Sequence, residues 1–430
     1  MIVTVSRSSL KGSIDAPASK SCMQRACAAA LVAGGETIIR NGGISNDDEA
    51  ALDIIKKLGA TVEKFEGNLK ITSTGVFPKH SEIHCGEAGL SVRMFTSIAA
   101  LSPLTLTITG SGSLLQRPMD FFDEVFPQLN VGIKSNHGKL PFQIKGPIIP
   151  QTIKIDGSLS SQFLTGLLFA YSASNANDVS IEVTHLKSKP YVDLTLNVLN
   201  QFGMKVPENK NYESFYFDAN NHSRPIKKHD YTVEGDWSGG AFLLVAGAIA
   251  GVIEVKGLDI QSTQADKEII KVLQQCGCAI KIETDKIYIS QNNLVAFNFD
   301  ATECPDLFPP LVSLASYCNG NSIIKGISRL THKESNRALT LKEEFEKLGI
   351  KIELKNDDMI VYGTSKVIGN TVDSRNDHRI AMALAVAGLK SEGQVQITNA
   401  EAINKSYPNF YDHLKLLGAE LSSEPVKKNV

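Results

Sequence analysis

The sequence predicts an α/β protein of two domains, each built from three copies of a βαβαββ-like unit. Three observations carry this reading. A pattern of polar start, small-residue helix, strand, amphipathic helix and closing strand recurs about every 70 residues along the chain. Most of the second helices end in a glycine turn followed by an alternating strand. A long polar stretch, Asn209 to Asp230, lies at the midpoint of the 430 residues.

The copies begin near Ser19, Gly89, Ser160, Asp236, Asp306 and Asp377. Their first helices read CMQRACAAALVAG, LSVRMFTSIAAL, SQFLTGLLFAYSA, SGGAFLLVAGAIAG, LFPPLVSLASYC and HRIAMALAVAGL. These are short, apolar and rich in small residues, as helices buried on all sides must be. The second helices close as KKLGATVEKF, NQFGMKV, QQCGCAIKI, EKLGIKIEL and LKLLGAELSS. Glycine there suits a left-handed C-cap before the next strand. The second copy, FPQLNVGI, has Asn in that place, another residue that tolerates the conformation. A unit of about 70 residues buries too little to stand alone. Three units sharing their helices make one domain, so residues 15–231 are expected to form the first and 1–14 with 232–430 the second. The opening strand, Ile2 to Ile14, is expected to pair in the second domain, so that the chain crosses between domains twice.

Hydrophobic residues make up 42% of the chain and charged residues 21%, with a formal net charge of -2. A nucleic-acid binder would normally be basic, so no nucleic-acid partner is expected and any anion site must be a local cluster of cations. The N-terminus lacks a signal-peptide pattern, and no apolar run is long enough to span a membrane; Ala241 to Val252 is the richest. Seven scattered cysteines, Cys22, Cys27, Cys85, Cys276, Cys278, Cys304 and Cys318, read as reduced thiols in a cytoplasmic protein. Cys276 and Cys278 are the closest pair, yet no His or second Cys pair completes a zinc spacing, and no metal site is expected. Neither a P-loop nor a dinucleotide fingerprint is present. The Gly-rich TGSGSL, Thr109 to Leu114, reads equally well as a flexible connection or a ligand loop.

The polar starts carry the chemistry. Each leads into a helix, whose N-terminus offers unpaired N–H groups and a positive dipole end. Lys20 and Arg25 sit in ASKSCMQRA, Arg93 in CGEAGLSVRMF, Arg117 in SLLQRPMD, Lys333 and Arg337 in THKESNRA, Arg379 in NDHRIA and Lys405 in NKSYPNF. Cations recurring at such places in a near-neutral chain point to bound phosphate or carboxylate. Ser160 to Phe163 adds hydroxyls and an amide at a helix start. Ser188 to Asp193 sets a hydroxyl, a cation and the Tyr191 ring together. Asp306 and Glu334, carboxylates among cations, are candidates for proton transfer and equally for salt-bridge partners.

The run PASKSxxxRA, CGEAGLSVR, LLQRPM, DGSLSSQF, SKPYVD, VEGD, KESNR, NDHR and the final Lys, in order from Pro17 to Lys405, resembles the 5-enolpyruvylshikimate-3-phosphate synthase family. The resemblance implies the inside-out α/β barrel of enolpyruvyl transferases, two three-repeat domains with the active site in the cleft between them. It implies transfer of the enolpyruvyl group of phosphoenolpyruvate to the 5-hydroxyl of shikimate 3-phosphate, through a tetrahedral intermediate and with release of phosphate. No metal or organic cofactor is implied, and a monomer is expected. Phosphoenolpyruvate contacts would come from Lys20, Gly89, Arg93, Arg117, Gln162, Arg337, Arg379 and Lys405. Shikimate 3-phosphate contacts would come from Lys20, Ser21, Arg25, Ser160, Ser161, Gln162, Ser188, Tyr191, Asp306 and Lys333. Asp306, with Lys20 nearby, would take the 5-hydroxyl proton, and Glu334 would protonate the methylene carbon. Leu90, Met94, Glu87, Gln24, Asn336 and Arg329 depart from the family's common residues, so pocket shape and sensitivity to phosphoenolpyruvate mimics such as glyphosate are expected to differ. Two rivals remain at this point. One is the sister transferase acting on UDP-N-acetylglucosamine, whose reactive loop cysteine has no counterpart in Thr109 to Met119. The other is a non-catalytic repeat protein, which would have no use for the two acids.

Overall fold

The computed structural model describes residues 1–174, 176–224, 227–364 and 366–425. The chain divides into two compact units: a central unit, Lys20–Val233, and a split unit, Met1–Ser19 with Glu234–Val430. Each unit holds three four-stranded sheets of one topology, a parallel pair followed by two antiparallel steps. In the second repeat, for example, Glu82–His84 runs parallel to Thr105–Thr109. That strand pairs antiparallel with Lys139–Lys145, which pairs antiparallel with Gly132–Asn136.

The two connecting strands are exchanged. Leu10–Asp15 leads into the first helix of the central unit but pairs in parallel with Gly251–Lys256 of the split unit. Lys228–Thr232 leads into the split unit's first helix but pairs in parallel with Gly35–Arg40 of the central unit. The strand Ile2–Val5 completes the last sheet of the split unit, between Val395–Thr398 and Leu421–Glu424. The unit boundaries therefore fall at 19/20 and 233/234, a few residues beyond the expected 14/15 and 231/232. Backbone bonds set the difference. Ala16 N donates to Lys256 O and Ser19 N to Glu234 O, whereas Val233 N donates to Arg40 O.

The helices that open the repeats form the cores. Lys20–Ala33, Gly89–Ala99 and Ser161–Ala173 pack together in the central unit. Trp237–Ala250, Phe308–Ala315 and His378–Gly388 do so in the split unit. Every residue of Gly89–Ala99, Trp237–Ala250, Phe308–Ala315 and His378–Gly388 is buried, which is why these helices are mostly apolar on every side, with few charges, all near their N-terminal ends. At Gly166 a Cβ would lie 2.8 Å from the carbonyl oxygens of Arg93 and Met94, so only glycine lets the second and third inner helices approach this closely. The second helices end on positive-φ residues: Gly59, Asn130, Gly203, Gly277, Gly349 and Gly418. The second repeat's second helix departs from the expected single element. Pro127 breaks it into Phe121–Val125 and a 3₁₀ turn, Phe126–Leu129, because proline has no N–H to give to the preceding turn. Among the described residues, no helix is long and apolar enough to cross a membrane.

Candidate active site

In each unit the N-terminal turns of the three inner helices carry part of the expected site, and neighbouring loops and second helices carry the rest. In the central unit, Lys20 opens its helix and donates to Asp47 Oδ2 at 2.7 Å. Asp47 is held in place by its neighbour Asp48, which closes a capping box with Ser45 at the start of Asn46–Lys57. Gln24 Oε1 accepts from Ser91 Oγ at 3.0 Å, tying the first inner helix to the second. Arg93 Nη1 donates to Gln162 Oε1 at 2.9 Å, and its guanidinium lies 5.2 Å from the Phe163 ring centroid. Phe163 is stacked on Phe121 in turn. Arg117 follows the 3₁₀ turn Gly112–Gln116, which takes up the second half of TGSGSL, and its Nη2 donates to Ser113 Oγ at 3.2 Å.

Gly89 is where these groups meet. A Cβ on it would lie 2.7 Å from Arg117 Nη1, 3.4 Å from Arg93 Nη1 and 3.6 Å from Gln162 Oε1. Four of the expected phosphoenolpyruvate contacts thus share one spot at a helix N-terminus. Ser160 caps the third inner helix and accepts from Gln162 N at 3.2 Å, which fixes the backbone that carries Gln162. Ser161 is buried beside it. Ser188 stands just before Lys189–Gln201 in a left-handed conformation, φ 57°, with Pro190 in the first turn.

Arg25 is placed differently from a simple ligand arm. It is 1% exposed. Nε donates to Thr195 Oγ1 at 3.0 Å, Nη1 to Ser21 O at 2.9 Å and Nη2 to Tyr191 O at 3.2 Å. Burial draws its pKa down to about 10. These bonds fix the backbone of Ser21 and Tyr191, two other expected contacts, relative to one another.

The split unit holds the two acids. Asp306 lies in the 3₁₀ turn Pro305–Leu307 that opens onto Phe308–Ala315. Its carboxylate accepts from Arg337 Nη1 at 2.8 Å, Arg379 Nη2 at 3.0 Å and Lys333 Nζ at 3.4 Å. Burial alone would push its pKa up, but the charges of Arg379, Lys333 and Arg337 together hold it well below the usual carboxylate range. Asn336 caps Arg337–Lys347, which sets Arg337 on the first turn, three residues from Glu334. The Arg337 side chain is 1% exposed and bound by three carboxylates: Asp306, Glu334 Oε2 at 2.5 Å and Asp377 Oδ2 at 2.9 Å. Asp377 also caps His378–Gly388, accepting from Arg379 N at 3.0 Å. Lys405 Nζ donates to Asn376 O at 2.7 Å, in the turn leading to that helix. Burial pulls Lys333 below the usual ammonium range.

Sequence reading missed Asp47 and Asp266. The SNDDE run signals a helix start, yet nothing in it points to Lys20. Asp266 has no local signal at all. It is fully buried and accepts a short hydrogen bond from Ser238 Oγ. Its pKa is pushed up to about 7 by burial and then by the charge of Asp306. The unfolded chain would ionise it near the ordinary value of about 3.9. Its stabilising effect is therefore complete below that value and is lost as pH rises through about 7. Asp266→Asn, which cannot titrate, should gain stability relative to the parent as pH rises from 5 to 7. Denaturation midpoints measured across that range check the sign; a gap that does not widen with pH contradicts it.

An apolar cavity of about 650 Å³, lined by Val32, Phe77, Leu101, Leu104, Ile148 and Ala173 among others, lies elsewhere in the central unit. It sits at the C-terminal ends of the three inner helices, away from these charges, and no charged residue lines it.

The family described as EPSP synthase (3-phosphoshikimate 1-carboxyvinyltransferase) matches residues 5–414. The 3-phosphoshikimate 1-carboxyvinyltransferase of Clostridium kluyveri is 35% identical over 428 residues, covering 99% of each chain. That of Clostridium novyi is 36% identical over 421 residues, covering 96% of each. Among solved structures, an EPSP synthase from Acinetobacter baumannii superposes with a TM-score of 0.81 at 24% identity, covering 98% of this chain and 100% of that one. The enolpyruvyl transferase NikO from Streptomyces tendae gives 0.76 at 16% identity, covering 98% of both. These two share the inside-out α/β fold.

Proposed function

Since this chain belongs to the EPSP synthase family, we propose that its two charged clusters serve one reaction and divide the work within it. The enzyme transfers the enolpyruvyl group of phosphoenolpyruvate to the 5-hydroxyl of shikimate 3-phosphate and releases phosphate. The observation that carries the assignment of roles is the split unit's arrangement, two acids competing for the same buried guanidinium.

The central unit supplies binding. Arg93, Arg117 and Gln162 around Gly89, with Lys20, form a cationic, donor-rich spot for the anionic groups of phosphoenolpyruvate. Ser160 and Ser161, at a helix N-terminus, suit the phosphate of shikimate 3-phosphate. Ser21, Ser188 and Tyr191, with Arg25 anchoring the backbone of two of them, complete the pocket for that substrate.

The split unit supplies proton transfer. Without substrate, Arg337, Arg379 and Lys333 keep Asp306 ionised and weakly basic. The carboxylate and phosphate of phosphoenolpyruvate draw on Arg337, Arg379 and Lys405 and so share those charges. Asp306 then regains basicity as the second substrate arrives and can take the 5-hydroxyl proton, with Lys20 stabilising the developing alkoxide. The same event loosens Glu334 from Arg337, so that its carboxylate takes up a proton from solvent and delivers it to the methylene carbon. As phosphate leaves the tetrahedral intermediate, Glu334 takes back one of the three hydrogens of the freely turning methyl group, and the proton on Asp306 passes to the departing phosphate. Lys333 and Arg379 hold the reactants in register.

The test of function is phosphate release from phosphoenolpyruvate with shikimate 3-phosphate as acceptor. Turnover that needs both substrates is expected. Release with UDP-N-acetylglucosamine instead, or with neither acceptor, overturns the reading. One substitution probes the binding half. Gly89→Ala would push a methyl against the Arg117 guanidinium, at an expected cost of about 1–2 kcal/mol in phosphoenolpyruvate binding. KM for phosphoenolpyruvate should rise roughly tenfold while KM for shikimate 3-phosphate stays near the parent value. An unchanged KM for phosphoenolpyruvate removes Gly89 from the pocket.

A further inference from the structure

Three of the cysteines, none of them used in the chemistry above, converge in the split unit. Cys276 closes the helix Ile269–Gln275, and Cys278 precedes the strand Ala279–Ile282. Between them Gly277 takes a φ of 83°. That left-handed turn folds the chain so that the two thiols face each other, with Sγ atoms 3.5 Å apart. Cys318 follows the inner helix Phe308–Ala315, at the opposite end from Asp306; its thiol donates to Leu314 O at 3.3 Å and lies near enough to Cys276 to favour its thiolate. All three are free thiols. Cys276, Cys278 and Cys318 are buried, at 0%, 9% and 2% exposure, while Gly277 between the first two lies exposed at the surface.

We propose that Cys276 and Cys278 form an oxidation site for small hydroperoxides, closing to a disulfide across Gly277. A disulfide needs the sulfurs about 2.05 Å apart, and the two thiols already face each other at 3.5 Å. Hydrogen bonds from Cys278 and then Cys318 favour the thiolate of Cys276 and make it the nucleophile. It attacks one oxygen of hydrogen peroxide. The O–O bond breaks, the leaving hydroxide takes up a proton as water, and Cys276 becomes a sulfenic acid. The Cys278 sulfur then attacks the Cys276 sulfur. The S–O bond breaks, and the departing hydroxide carries off the Cys278 proton as a second water. Two thiols are oxidised and one peroxide is reduced to two waters.

The test treats the folded, active protein with hydrogen peroxide, alkylates the remaining thiols, digests it and weighs the peptide Val272–Lys281. The expected peptide is unalkylated and lighter by two hydrogen atoms, and the count of titratable thiols falls by two. Reductant should restore both. In Cys278→Ser, Cys276 should instead be trapped as a sulfenic acid by dimedone. A parent peptide that stays alkylated at both cysteines overturns the proposal. So does one that gains only oxygen, or one cross-linked to Cys318.

Discussion

Glu334→Gln is expected to lower kcat by about 10²- to 10⁴-fold, the usual worth of a placed general acid or base. Glutamine can still accept from Arg337, whose Nη2 lies 2.5 Å from the Glu334 carboxylate in the parent. The side chain is nearly the same size, so the fold and the binding of both substrates should persist. What is lost is the transferable proton. KM for each substrate should therefore change little beside the fall in kcat, the pattern of a group that acts only in the transition state. Steady-state kinetics of the purified variant check this. A fall in kcat of less than about tenfold would take the proton transfer away from Glu334.

Arg337→Met is expected to act on stability first. Asp377 is 0% exposed and Glu334 and Asp306 are largely covered, and all three bind this one guanidinium. Removing it leaves buried carboxylates without their shared counter-charge, a loss of about 3–5 kcal/mol for a pair broken on one side. Arg337→Lys should recover only part of this, because an ammonium cannot reproduce a planar fork bound by three acceptors. Chemical denaturation of the two variants beside the parent measures both. A loss below about 1 kcal/mol for the methionine variant would mean that the carboxylates rearrange or take up protons at little cost. The contrast between the two substitutions is itself informative, since the glutamine should remove activity and keep the fold, whereas the methionine should weaken both.

Much of this was legible in the residues. The inner helices could be read from their all-round apolar, small-residue sequence, because burial on every side leaves no polar face to write. The ends of the second helices could be read from Gly59, Gly203, Gly277, Gly349 and Gly418, and from Asn130, because a left-handed backbone restricts what can stand there. The cationic motifs at repeat starts were legible for the same reason: a helix N-terminus is a fixed electrostatic feature. What escaped depends on contacts between residues distant in sequence. Lys20 meets Asp47, and Ser238 meets Asp266; no local pattern announces either pairing. Arg25 reads as another cation beside Lys20, yet tertiary packing turns it inward as an anchor for the backbone of Ser21 and Tyr191. The exact crossover points, likewise, follow from single backbone bonds such as Ser19 N to Glu234 O.

The most direct measurement is a single turnover of the Glu334→Gln enzyme with both substrates in heavy water, followed by analysis of the methylene group in recovered phosphoenolpyruvate and in product. The account predicts deuterium in that group with the parent enzyme, because addition and elimination pass through a methyl carbon protonated by Glu334. With the variant it predicts none on the same timescale, although both substrates remain bound. Deuterium entering the methylene at the parent rate in the variant would contradict it.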